Sequence, residues 1–336
     1  MDQKLAVVGC GYWGKNLVRN FSQLHVLGLI CDTNESLLGT QAELYSDVRL
    51  TSRFEDVLKE EDIQAVVIAT PAASHYYQVK EAILRGKDVF VEKPLALRYH
   101  QGRELADLAN EHGVILMVGH ILEYHPAVAL LKDVVSNGDL GEVWYVYSHR
   151  MNLGKVRQEE DILWSFAPHD VSVICTLMKE EPLAVTASGG SYLQSGITDV
   201  TVTTLLFPEG RRAHIFVSWL HPYKEQKLVV IGDQKMAVFD DLAREGKLKV
   251  YDKGIEWQSG LPVPRQTAET TLFLEETEPL RLECEHFLKC LRDRKEPLTS
   301  GKSALRVLKI LEASGMSLKQ GGVPVQLSEI GTGKGI

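Results

Sequence analysis

The constraint that most narrows the fold lies at the start of the chain, where Gly9-Cys10-Gly11-Tyr12-Trp13-Gly14 follows an apolar run, Leu5 to Gly9, and opens a helical pattern, Gly14 to Ser22. A G-x-G-x-x-G between a strand and a helix has a physical meaning. Its glycines permit a tight turn, close approach of a pyrophosphate and close packing of helix on strand. The free N–H groups of the helix N-terminus then face the phosphates. A second apolar run, Val26 to Cys31, ends at Asp32, 23 residues after Gly9. A carboxylate there accepts hydrogen bonds from the adenosine ribose and repels a 2′-phosphate. Neither Thr33 nor Asn34 offers a cation to offset that repulsion. The expected cofactor is therefore NAD rather than NADP, cradled by Gly9, Gly11, Tyr12, Trp13, Gly14 and Asp32.

The alternation continues. Apolar runs at Ala65–Ala69, Asp88–Val91 and Ile115–Gly119 are separated by helical patterns at Phe54–Lys59, His75–Arg85 and Gln101–His112. Strands apolar on both faces, alternating with helices, imply a parallel sheet covered on both sides. Beyond residue 121 the pattern changes. A helix at Pro126–Ser136 precedes strands with polar residues at Val143–His149, Leu183–Ser188, Val200–Phe207, Ala213–Trp219, Leu228–Ile231 and Met236–Phe239. Tight turn signals such as Phe207-Pro-Glu-Gly-Arg211 favour antiparallel pairing. Helices at Pro279–Arg292 and Lys302–Leu318 close the chain. The reading is an α/β protein: a Rossmann domain over residues 1–121, then an α+β domain over 122–336 with an open, mostly antiparallel sheet.

Charge and composition exclude other classes. With 37 basic and 45 acidic residues the formal charge is −8, which gives no electrostatic footprint for nucleic acid. No run approaches the roughly 20 apolar residues of a membrane span. The N-terminus lacks the form of a signal peptide, so the cytoplasm is the expected location. Five cysteines without a C-x-x-C suit reduced thiols rather than a disulfide scaffold, and no spacing marks a metal site.

Three further clusters carry chemistry. Thr70-Pro71 and His75 lie just past the third apolar run, at the strand edge where ligands of open α/β sheets gather. They are also candidate helix-capping residues. Glu92-Lys93-Pro94 follows the next strand. A lysine there can hydrogen-bond a substrate hydroxyl and stabilise an alkoxide as hydride leaves, and Glu92 and Lys93 border the cofactor. The third is Trp164-Ser165-Phe166-Ala167-Pro168-His169-Asp170, leading into an apolar helix, Val171 to Met178. The imidazole of His169 titrates in the range of a general base. Asp170 either orients that ring or complements the helix N-terminus.

In GCGYWG, ATPAASH and VEKPLAL, in that order and spacing, the chain resembles the glucose–fructose oxidoreductase / inositol dehydrogenase (Gfo/Idh/MocA) family over nearly its whole length. The resemblance implies that Lys93 and His169 are catalytic and that the second domain's sheet builds dimers or tetramers. Ser165 stands where that family usually carries an aspartate. Gly119-His-Ile-Leu-Glu-Tyr124-His125-Pro126 and Ser148-His-Arg150-Met-Asn152-Leu-Gly-Lys155-Val-Arg157 resemble the family's nucleotide-sugar members. Those of the UDP-N-acetylglucosamine 3-dehydrogenase type work ahead of an aminotransferase in amino-sugar biosynthesis. On that resemblance Tyr124, Arg150, Asn152, Arg157, His169, Asp170 and Lys93 would contact substrate, with Arg150, Lys155 and Arg157 meeting a diphosphate. The alternatives are a UDP-uronic acid, an inositol or another sugar as substrate, or a non-catalytic NAD-binding sensor.

Overall fold

The apolar runs of the N-terminal region become short parallel strands in a computed structural model that describes residues 4–154, 156–158 and 160–331. In chain order the elements are β1 (Lys4–Val8), α1 (Gly14–Gln23), β2 (Leu27–Cys31), α2 (Glu35–Leu44), β3 (Arg49–Thr51), α3 (Phe54–Lys59), β4 (Ile63–Ile68), α4 (Ala72–Leu84), β5 (Asp88–Glu92), α5 (Tyr99–His112) and β6 (Leu116–Gly119). The sheet order is β3-β2-β1-β4-β5-β6, and every pairing is parallel. That order reverses direction between β1 and β4, and such a reversal opens a crevice at the carboxyl ends of the strands. Register makes the crevice level. Val8 pairs with both Cys31 and Ile68, Ile68 with Val91, and Glu92 with Gly119. The residues that follow these strands therefore emerge along one edge.

The chain then builds a second sheet from α6 (Pro126–Ser136), β7 (Val143–Met151), α7 (Ile162–Met178), β8 (Ala184–Gly190), β9 (Val200–Leu206), β10 (Arg212–Ser218), β11 (Glu225–Gly232), β12 (Met236–Asp240), β13 (Leu248–Gln258) and β14 (Leu261–Leu272). Two long helices follow, α8 (Pro279–Asp293) and α9 (Gly301–Lys319), and then the short β15 (Val325–Gln326). The sheet order is β14-β13-β12-β11-β7-β10-β9-β8-β15. In this sheet, among the described residues, only β7 and β10 pair in parallel. Residues on β7 alternate between the two faces: Val146 and Ser148 are buried, whereas Tyr145, Tyr147 and His149 stay partly open beside His214.

Two departures from the sequence expectation concern the ends. The chain does not divide at a single cut. One unit is Met1–Ile121 with Glu278–Leu308, and the other is Leu122–Thr277 with Lys309–Ile336. The physical reason is the apolar face of α8. Phe287 reaches Phe90 of β5 at 5.5 Å between ring centroids, and Phe90 in turn meets Phe21 of α1 at 6.4 Å. All three rings are fully buried. The other departure is in α7, which begins at Ile162 rather than Val171. Asp161 caps it through the Trp164 N–H at 3.0 Å. Pro168 and His169 thus lie inside a helix and not at its start. Pro168 has no N–H to give the carbonyl four residues back, a cost that helices normally avoid.

Candidate active site

The glycine turn is built by steric exclusion. Gly9 has φ +89°, and a β-carbon on it would stand 2.7 Å from the Ala69 carbonyl oxygen. On Gly14 a β-carbon would lie 1.9 Å from the Gly9 carbonyl oxygen. On Gly11 it would meet nothing within 4 Å. Two glycines are thus required by protein packing, while the third leaves open the space a pyrophosphate would need. Asp32 braces the turn from the end of β2. Its Oδ2 accepts from the Cys10 N–H at 2.8 Å, and its Oδ1 accepts from the Asn34 N–H at 2.9 Å. The neighbouring Cys10 thiol is pushed up to about 12, by burial first and then by the Asp32 charge, so it stays a neutral thiol. Tyr12 is exposed at the tip, with the Lys15 ammonium 5.9 Å from its ring. These residues fit a dinucleotide: open space at Gly11, a helix N-terminus behind it and a carboxylate at the ribose position.

The turns after β4 and β5 are fastened to each other. His75 is 1 % exposed, with Nδ1 2.7 Å from the Pro94 carbonyl oxygen and Nε2 2.9 Å from that of Thr70. It acts as a strut between the two turns. Thr70 donates its hydroxyl to Gln78 Oε1 at 2.6 Å, and Pro71 stands at the N-terminus of α4. Lys93 is half-buried at the end of β5, and its bond to Pro94 is cis. Glu92 turns toward the glycine loop, where the Trp13 indole donates to its Oε1 at 2.5 Å. Burial pushes the Glu92 carboxyl up to about 7, against the lowering pull of the Trp13 hydrogen bond and the Lys93 charge.

In the second unit, α7 is clamped at two places next to His169. Asp170 is 2 % exposed and takes two bonds from the Arg150 guanidinium, Nε to Oδ2 at 2.8 Å and Nη2 to Oδ1 at 3.2 Å. The bidentate pair engages both carboxylate oxygens, and consecutive helical residues do not face each other. Asp170 therefore anchors the helix to β7 through Arg150. Arg150 is paired with Asp170 through Nε and Nη2. Burial alone would lower its guanidinium, and the Asp170 charge more than offsets this. Three residues on, the Ser172 hydroxyl donates to Glu123 Oε1 at 2.6 Å, Thr176 donates to the same oxygen at 3.2 Å, and Lys132 pairs with Glu123. His169 itself is partly exposed, one turn after the buried Ser165. Tyr124 is 8 % exposed. The Asn152 side chain folds over Gly154, and Arg157 is ion-paired with Glu160 at 2.9 Å. Lys155 lies outside the described residues.

The Arg150–Asp170 pair carries a definite expectation. Arg150→Met leaves a buried carboxylate uncompensated and should destabilise the protein by about 3–5 kcal/mol. Urea unfolding measures it, and a double variant that also replaces Asp170 with Asn should recover most of the loss.

Glu123 and Glu283 were missed in the sequence although each left a signal. Glu283 is the one acidic residue on the buried stripe of α8, which runs Leu280, Glu283, Cys284, Phe287, Cys290, Leu291. Glu123 interrupts an apolar stretch and is 4 % exposed. Among the described residues no helix is long and apolar enough to cross a membrane.

Comparison with known proteins agrees with this construction. Residues 3–120 match the family model described as oxidoreductase family, NAD-binding Rossmann fold, and residues 128–238 match the GFO/IDH/MocA C-terminal domain. The scyllo-inositol 2-dehydrogenase (NAD(+)) of Bacillus subtilis is 27 % identical over 342 residues, covering 96 % of both chains. A 2,7-anhydro-N-acetylneuraminate hydratase of Mediterraneibacter gnavus is 28 % identical over 73 % of this chain and 69 % of its own. The solved UDP-N-acetylglucosamine 3-dehydrogenase of Acidithiobacillus ferrooxidans superposes with a TM-score of 0.82 at 23 % identity, over 94 % of this chain and 97 % of that one. With an NAD-binding Rossmann unit, a mostly antiparallel sheet after it, and both halves matched by the models of one family, the chain belongs to the Gfo/Idh/MocA oxidoreductases.

Proposed function

We propose that this protein oxidises a secondary hydroxyl of a nucleotide sugar, with C3 of UDP-N-acetylglucosamine as the preferred substrate and the 3-keto sugar as product. The observation that carries the reading is Lys93, set at the carboxyl end of β5 beside a complete dinucleotide cradle. Support for the sugar comes from the full-length likeness to the Acidithiobacillus ferrooxidans enzyme, which is 24 % identical over 311 residues. It also comes from the segments around Tyr124 and Arg157.

The chain's own groups supply the following. Gly9, Gly11, Gly14 and Asp32 hold the dinucleotide, Thr70 and Pro71 border it, and Tyr12 and Trp13 form the tip and flank of the turn. NAD, when bound, supplies the acceptor for the hydrogen and electron pair leaving the carbinol carbon. His169 removes the hydroxyl proton, and Lys93 donates a hydrogen bond to the oxygen as negative charge develops on it. Tyr124, Asn152 and Arg157 are proposed for substrate recognition. The proposal extends to a homo-oligomer, a dimer or tetramer formed through the second unit's sheet. It also includes an aminotransferase acting on the keto product.

A second reading, oxidation of an inositol or other free polyol, is favoured by one observation. Arg150 is committed to Asp170, which thins the set of cations left for a diphosphate. The test is NADH formation at 340 nm with UDP-N-acetylglucosamine, a UDP-uronic acid and inositols in parallel. NADH appearing first with UDP-N-acetylglucosamine, and rising further when an aminotransferase and amino donor drain the ketone, supports the main reading. Activity with inositols alone selects the second.

A further inference from the structure

Two carboxyl groups, a part-buried one on Glu92 and a fully buried one on Glu283, lie where the glycine turn meets the Glu92-Lys93-Pro94 turn. Glu92 Oε1 takes the Trp13 indole N–H at 2.5 Å across 79 residues of sequence. Its Oε2 packs against Gly119, where a β-carbon would stand only 2.9 Å away. From α8, Glu283 reaches the same region. Glu283 is 0 % exposed, and neither of its oxygens has a hydrogen-bond partner among the described residues. Trp13 is the residue before α1, whose first N–H groups belong to the cofactor turn. The indole therefore has one side chain to hold it and one cofactor loop to shape.

We propose that Glu92 is a positioning residue for the dinucleotide: its carboxylate holds the Trp13 indole, and through it the glycine turn, in the shape that receives the pyrophosphate. The inference rests on NAD occupying that turn and not on which sugar is oxidised. A hydrogen bond to an ionised acceptor is roughly twice as strong as one to a neutral acceptor, so the hold is firm only while Glu92 is charged. Two neighbouring carboxyls, one of them fully buried, cannot both ionise cheaply. Glu283 is the one that stays neutral, because burial, and secondarily the Glu92 charge, raise it well above the carboxylate range. Glu92 sits near neutrality, at about 7. The other charged or titratable groups at the cluster are Lys93 on the same turn, and Cys284 beside Glu283, which burial holds as a neutral thiol. From β6 the contact is the backbone of Gly119.

The sign follows. As pH falls through about 7, Glu92 takes up a proton, the indole bond loses its charge assistance, and NADH affinity drops. Simple charge repulsion between Glu92 and the phosphates would act the other way and tighten binding at low pH.

The experiment is NADH binding to the whole protein, followed by nicotinamide fluorescence between about pH 6 and about pH 8.5. Wild type should bind about fivefold more weakly at the acid end. Glu92→Gln should remove that response and bind at the weak level throughout. This also separates Glu92 from His120, the residue after Gly119. Trp13→Phe should remove the response as well, since the indole transmits it. Glu283→Gln exchanges one neutral group for another and should leave the midpoint unchanged. Tighter binding at low pH, a response that survives in Glu92→Gln or Trp13→Phe, or a Glu283→Gln midpoint lower by about one unit or more would each overturn the proposal.

Discussion

Lys93→Ala should lower kcat/KM for the sugar by about a thousandfold while leaving NADH affinity, read at about pH 8.5 where Glu92 is ionised, within about twofold of wild type. Removing one preorganised donor to a developing oxyanion costs on the order of 10²–10³ in rate, and the lost positioning of the hydroxyl adds to it. The glycine turn and Asp32 make their direct contacts to Ala69, Cys10 and Asn34, and the lysine bears on the turn through the charge of Glu92. Steady-state rates and NADH fluorescence titration separate the two effects. If affinity and turnover fall together, Lys93 holds cofactor rather than the reacting oxygen. If turnover is unchanged, it has no part in the mechanism.

The second large effect is expected within the glycine turn, and it divides the three glycines by cause. Gly14→Ala forces a β-carbon to within 1.9 Å of the Gly9 carbonyl oxygen, a backbone atom that cannot swing aside. The strand–helix junction must open, at a cost of about 3 kcal/mol or more. NADH binding should be lost with it. Gly11→Ala meets no protein atom within 4 Å, so its thermal midpoint should match wild type. Its methyl group projects into the space reserved for the pyrophosphate, and affinity should drop at least tenfold with stability intact. Thermal denaturation and NADH titration of the two variants read these outcomes directly. Equal loss of stability in both would contradict the steric account.

Much of the first sheet was legible because its strands are short, apolar on both faces and followed by residues of special chemistry. The exceptions were α2 and β3. The strand has three residues, Arg-Leu-Thr, with no apolar run to mark it, and the helix is announced chiefly by the Asn34 side chain capping the Ser36 and Leu37 N–H groups. Missing β3 made the strand at Leu116–Gly119 fifth in the reading, whereas it is sixth in the chain. The long β13–β14 hairpin was also missed. Most of its residues are exposed and so carry no burial alternation, and Pro262 and Pro264 argue against a strand. They are tolerated because β14 is an edge strand, where a proline forfeits no ladder bond. The Ser259-Gly260 pair, both with positive φ, was the turn signal available.

The site was legible in residue types and less so in partners. Glycines, Asp32 and Lys93 announce themselves by spacing from a strand end. Whether an arginine points to a ligand or to a buried aspartate does not depend on local sequence. Arg150 lies on β7 and Asp170 on α7, and their pairing follows from how that helix packs on that sheet. His75 shows the same limit, because its partners are backbone carbonyls of two separate turns. The Trp13–Glu92 bond likewise joins segments that only the sheet order brings together.

The most direct test of the central claim follows the hydrogen itself. A single turnover of the enzyme with NAD and UDP-N-acetylglucosamine carrying deuterium at C3 should yield deuterated NADH and a UDP-linked 3-keto sugar, with a primary isotope effect if transfer limits the rate. NADH free of deuterium would place the oxidation at another carbon. No reduced cofactor from this substrate, with NAD binding intact, would contradict the assignment of the sugar.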